Sequence, residues 1–434
     1  MIEVPPEETR KQSLWGKIIL VMLSVVKVTG GILLLLSSLS TTTTTIYPPT
    51  KTPRIFTQTP VIPSLTPTTQ PTATHIVQKN YPEVQGVLTA PLYFIGEDYQ
   101  VMRLNLDGTL TEITKEEKGV SQMDVSPIDG RIAYTVLREK RILAQERLPQ
   151  NTRFTVIEEW SQGTRLTVVD KDGGNLLTVI DGFTVSQPAW SPDGKRLAYA
   201  LDGVKAFDFE SGEWLDILPN QAYGNEIIKY IPLAWSPDGK TILIQRQLGG
   251  YNVDIYGLNG SVVQYINDYC ATAGTYSLDG KDFYIGVDGF GETASERCEV
   301  EPLIWRLSTS ANTRTRLKMD SREGDTMFLA QSPFAASDER LYFFYSKGTF
   351  DAGSNNLQND TVEPYALASC KLDGSDLQIL NSDVISRGFS ELAWYPDGSL
   401  VVIKRDDKFI ILNTKDNSSI AIDILGSDLH WGVP

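Results

Sequence analysis

Beyond residue 90 the chain alternates apolar and polar positions in short runs separated by Gly, Asp, Asn and Pro, and helical periodicity is nearly absent. That is the period of half-buried β-strands. One stretch recurs: "PAWSPDGKRLAYA" begins at Pro188 and "LAWSPDGKTILIQ" at Leu233. Apolar residues alternate on both sides of Ser-Pro-Asp-Gly, where Pro suits the second position of a tight turn and Asp-Gly tolerates the positive φ that reverses the chain. Each copy reads as a hairpin. Its structural turn residues are Asp193 and Gly194, Asp238 and Gly239, Asp279 and Gly280, and Asp397 and Gly398.

The same pattern occurs as "MDVSPIDGRIAYTV" at Met123, "TYSLDGKDFYIGV" at Thr275, "LAQSPFAASDERLYFF" at Leu329 and "LAWYPDGSLVVIK" at Leu392, which makes six copies. Each is followed by further strand-like runs around a polar turn, as in "VKAFDFESGEWLDIL". Four short strands per 40–65 residues predict an all-β chain folded as a β-propeller. Residues 91–114 supply three strands of a blade that lacks its first, and "DLHWGVP" at 428–434 matches the register of that missing strand. Pairing the N- and C-terminal strands closes the ring and removes its exposed edges. The count is then seven blades, with six as the alternative. The copies at Thr275 and Leu329 depart from the pattern, so blade boundaries there are loose by several residues.

The hairpin Ser-Pro-Asp-Gly-Lys followed by alternating apolar residues resembles the repeat of TolB-like and dipeptidyl-peptidase-type propellers, a WD-repeat-like family, over residues 91–434. The resemblance implies a fold in which Trp and Pro pack between blades and Asp and Gly shape the turn. It implies an active site on none of these residues.

The N-terminal region has a different pattern. Residues 18–39, "IILVMLSVVKVTGGILLLLSSL", are long enough to cross a hydrocarbon core of about 30 Å and predict one transmembrane helix, with Lys27 a defect costing about 3 kcal/mol. A signal peptide cleaved near Ser40 is the alternative reading. Arg10, Lys11 and Lys17 precede the span, so residues 1–17 are expected in the cytoplasm and the rest outside it. Residues 40–74 hold 14 Thr and 7 Pro, too few apolar groups to repay ordering entropy, and residues 40–84 are expected to form a disordered stalk carrying the propeller at 85–434.

Of the formal net charge of -15, residues 1–84 contribute 7 Lys and Arg against 4 Asp and Glu, which leaves 32 against 50 for the rest. So acidic a surface repels phosphate backbones, and no nucleic-acid partner is expected. The three cysteines lack zinc-site spacing; Cys270 with Cys298 is a candidate disulfide, three unpaired thiols being the alternative, and Cys370 sits in a strand-like run as a buried thiol. "DKDGGNLL" at Asp170 lacks the spaced ligands of a calcium loop, so neither metal nor cofactor is expected. His75 and His430 are the only histidines, and no Gly-x-Ser-x-Gly elbow is present. Catalysis by a triad is therefore not expected.

With strands running outward from the axis, the tight Ser-Pro-Asp-Gly turns occupy one face. The long insertions at 137–163, 287–302 and 345–364, between second and third strands, occupy the other. They carry Arg153, Trp160, Phe290 and Phe350 as a candidate interaction surface. The bland alternative is that they are longer hairpins that extend the blades. The sequence supports a non-catalytic, membrane-anchored extracytoplasmic propeller that binds a protein or glycan. The alternative is an enzyme or small-ligand sensor with a pocket at the central channel. Residues facing that channel read as mostly small and apolar, which favours the binding module.

Overall fold

The computed structural model describes residues 75–137, 163–223, 226–247, 251–266, 271–287, 303–311, 313–319, 322–323, 326–351, 356–357, 363–385, 391–405 and 407–434. Apart from a 3-10 turn at Pro82–Val84, the regular structure among them is all β. The strands form six antiparallel sheets in a propeller-like arrangement, five of them following chain order from the first strand to the last.

The first sheet breaks that order: it runs His75–Asn80, Thr109–Glu112, Val101–Leu104, Leu92–Gly96, and then Gly426–Trp431 from the far end of the chain. Leu92 pairs with Trp431 and Tyr93 with His430. The second sheet has seven strands between Val120 and Pro219, pivoting on the long strand Leu177–Trp190. The N-terminal half of that strand pairs with Gly163–Val169 and its C-terminal half with Arg196–Ala200.

Residues 75–84 correct the expected stalk boundary. His75–Asn80 adds an outer strand to the first sheet, and Tyr81 and Val84 are buried in the core beyond it. Residues 18–39, the expected membrane helix, lie outside the described residues. Among the described residues no helix is long and apolar enough to cross a membrane.

Core clusters form between consecutive sheets because each pleated face is apolar on alternate residues. The last sheet packs on the first: Leu400, Val402, Phe409 and Ile411 meet Leu92, Phe94, Leu104 and Leu429, with Phe94 and Phe409 edge to face at 5.3 Å. The two halves of the seven-stranded sheet also pack on each other, through Leu166, Val168, Trp190, Leu197 and Tyr199.

Two of the repeated tryptophans tie neighbouring units together by hydrogen bonds. The Trp235 indole N–H donates to the Ala189 carbonyl at 2.9 Å, and the Trp431 indole to the Ala393 carbonyl at 3.0 Å. In both pairs the acceptor immediately precedes the corresponding tryptophan of the preceding repeat. Arg131 lies over the Trp190 ring and Arg196 over Trp235, each at 4.7 Å. The same arginines reach the turn carbonyls of Gly194 and Gly239. Each turn is closed from within: Ser191 donates its hydroxyl to Asp193 at 2.6 Å, Asp193 accepts the Lys195 amide at 3.1 Å, and Gly194 sits at φ 66°.

Trp235→Phe removes the indole donor to the Ala189 carbonyl and is expected to cost about 1 kcal/mol; Trp235→Ala, which also opens a cavity, should cost about 3–5 kcal/mol. Urea unfolding followed by circular dichroism checks both.

Candidate functional site

The innermost strand of each unit has one edge facing the ring axis, and its amide groups need partners other than a strand. At the seam these come from carboxylates. Glu391 accepts the Leu429 amide at 2.6 Å, Asp428 accepts the Met123 amide at 2.6 Å, and Asp124 accepts the Trp190 amide at 2.6 Å. Gln122 continues the series, accepting the Gln187 amide at 2.7 Å. Each side chain thus fastens its own inner strand to the next one round the axis.

His430 lies among them. Its Nδ1 is 3.2 Å from Asp124 and its Nε2 is 3.0 Å from Asp428. Burial alone would lower the imidazole pKa, but the Asp428 charge and the hydrogen bond to Asp124 override it and raise the pKa well above the usual value. With a carboxylate on each nitrogen, His430 is an imidazolium with no lone pair free to accept a proton, so it is built as a charge bridge. Burial, and then the Asp428 charge, push Glu391 up to about 7.

Beside this cluster a cleft of about 350 Å³ opens among the inner strands, lined by Trp190, Leu233, Ala234 and Trp235, by the prolines of the repeated turns, and by Gln187, Asp124 and His430. The expectation of a small, apolar channel lining is corrected here: Glu391, Asp428, His430, Asp124, Gln122 and Gln187 converge at the seam. A signal for them exists in the sequence. Glu391, Asp428 and Gln187 each lie three residues before a repeat tryptophan, and His430 immediately precedes Trp431. Among the described residues no group of His, Cys, Asp and Glu is placed to hold a metal ion.

Of the sequence-predicted interaction residues, Arg153, Trp160 and Phe290 lie outside the described residues, as do Cys270 and Cys298. Phe350 falls in the strand Arg340–Asp351, its backbone opposite Leu357. The third insertion is thereby corrected: residues 345–351 continue a strand, and the insertion begins as a hairpin extension. The turn residues Asp193, Asp238 and Asp279 each accept a serine hydroxyl and the amide two residues on. Asp397 accepts the Ser399 amide at 2.7 Å, and Gly398 sits at φ 74°. Cys370 is a free, buried thiol, pushed up to about 12 by burial.

No family model and no curated protein matches the chain. Solved structures do. TolB from Acinetobacter baumannii is 17% identical over 62% of this chain, with a TM-score of 0.38, and the chain spans 62% of the length of that structure. The chain is similar to TolB. It is also similar to the β-propeller domain of Myceliophteria thermophila Cps50 (Swd1), at 10% identity over 72% of this chain and 88% of that one, with a TM-score of 0.39. An oligogalacturonate lyase in complex with manganese is 14% identical over 81% and 86% of the two chains, with a TM-score of 0.48.

Glu391 generates a pH prediction. Its folded pKa lies above the unfolded one, so the folded state keeps a proton that the unfolded chain releases, and stability falls as pH rises from about 4.5 to about 7, by on the order of 3 kcal/mol. Glu391→Gln still accepts from Leu429 and should flatten the profile in that window, as measured by urea midpoints at stepped pH.

Proposed function

We propose that the protein is a non-catalytic, membrane-tethered extracytoplasmic β-propeller of seven blades that binds a protein or glycan through its insertion-bearing end. The blade count rests on dividing the seven-stranded sheet at Leu177–Trp190, whose halves pack on each other as separate sheets do. The observation that carries the binding reading is positional. The long intervals 138–162, 288–302 and 352–364 each separate a unit's second strand from its third. The corresponding connections elsewhere, such as Ala200 to Gly203 and Arg405 to Lys408, are tight. Elaboration confined to one topological position places variable chain at one end of a rigid scaffold, which is how recognition loops are mounted.

Exposed apolar side chains occur at both ends: Ile128 and Leu278 lie in two of the tight turns, and others lie near the connections between units. Phe183 lies within the long strand joining two units, Tyr223 and Ile227 flank the hairpin that enters the third sheet, and Tyr265 ends that sheet's outer strand; each is at least 51% exposed. The tether is the apolar run 18–39 followed by the Thr/Pro-rich segment.

Affinity capture with the full chain, beside a variant whose three intervals are cut to tight turns, tests the reading. A partner held by the intact chain and lost by the trimmed one is expected, with unchanged circular dichroism; equal capture by both overturns it. The axial cleft supports a second reading, a small-ligand sensor. On that reading trimming leaves binding intact, and narrowing the cleft by Ala234→Phe abolishes it.

A further inference from the structure

We propose that the seam of the ring is a proton-controlled latch: the closing strand Gly426–Trp431 is held by His430 as a cation shared between Asp124 and Asp428, and it loosens when that proton leaves. The geometry carries this. The strand lies between Leu92–Gly96, with which it pairs, and the inner strands Glu391–Trp394 and Val120–Val125 on either side. Val120–Val125 presents Asp124 to His430. Glu391–Trp394 presents Glu391, whose ladder partner Lys404 is the other cation acting on it. Leu92–Gly96 presents Tyr93, opposite His430 in the ladder, whose hydroxyl donates to the Lys171 carbonyl at 3.3 Å. Asp428 completes the set on the closing strand itself.

With His430 protonated, two cations face the carboxyl groups of Glu391, Asp428 and Asp124. Without that proton the cation shared by Asp428 and Asp124 is gone and Lys404 acts on Glu391, while these same carboxylates hold the Leu429, Met123 and Trp190 amides across the seam. Their mutual repulsion then acts on the bonds that keep the strand in place. The direction follows from the raised imidazole: the closed seam retains a proton that a released histidine gives up near its ordinary value of about 6.5, so closure is strongest below that value and is lost as pH rises through the folded one. Glu391 acts in the same sense, since it too holds its proton in the closed seam.

The experiment is native-state amide exchange on the full chain from pH 6 to pH 9.5, corrected for intrinsic rates, comparing residues 426–431 and 120–125 with the distant strand Tyr251–Gly257. Protection at the seam is expected to fall by up to tenfold per pH unit between about 6.5 and the folded histidine transition and to level off above it, while the distant strand holds. His430→Gln made together with Glu391→Gln should show low seam protection that no longer depends on pH. Should that variant not fold, NMR titration of the imidazole in the unaltered chain gives the same test: its transition should lie well above 6.5 and mark the pH at which the loss of seam protection levels off. A transition at or below 6.5, or seam protection that is independent of pH, or one that declines only in parallel with Tyr251–Gly257, overturns the latch.

Discussion

The ladder between Leu92–Gly96 and Gly426–Trp431 is the contact on which the rest of the ring depends. Without it the first sheet has no inner strand, Leu92 and Phe94 lose the cover of Leu429, and the core shared with Leu400, Phe409 and Ile411 opens to water. Each of these side chains contributes about 1.5–3 kcal/mol by burial, so an open seam forfeits far more than the hydrogen bonds of one short strand. A contact of such high sequence separation also forms against the largest loop-closure entropy in the chain. The apolar core shared by the two terminal sheets offsets that cost.

Neighbouring units are joined by one repeated device with two components. Apolar faces supply most of the energy, and at two junctions the indole of Trp235 or Trp431 donates to a single carbonyl of the preceding unit, whereas the buried indoles of Trp190 and Trp394 make no such bond. Arginines lie over the rings of Trp190 and Trp235. At the seam the device is supplemented: carboxylates reach across to the next strand's amides, and His430 balances two of them. The seam thus carries an ionic cluster at the place where closure depends on strands from the two ends of the ring rather than on a continuous hairpin.

These parts divide the molecule by role. The tight turns close on their own serine and aspartate side chains, and the long intervals all fall between a unit's second and third strands. On the latch proposed above, the ionic seam adds a point at which the rigidity of the ring responds to protons.

The repeats at Pro188 and Leu233 were enough to announce hairpins, because Asp-Gly and Pro impose their turn on the local backbone whatever surrounds them. The sequence by itself also determined which terminal segment supplies the missing strand, since Leu429 and Trp431 repeat the spacing of Leu392 and Trp394. Local patterns could not place the boundary at His75, because a strand added to a sheet's outer edge needs little apolar content and is specified by its partner Thr109–Glu112. Nor could they bring Glu391, Asp428, His430 and Asp124 together. Those residues come from inner strands distant in the chain, and only closure of the ring sets their carboxylates against one another's amides and raises the histidine. Along the chain they stand apart from one another; the tertiary structure made them the fastening of the seam.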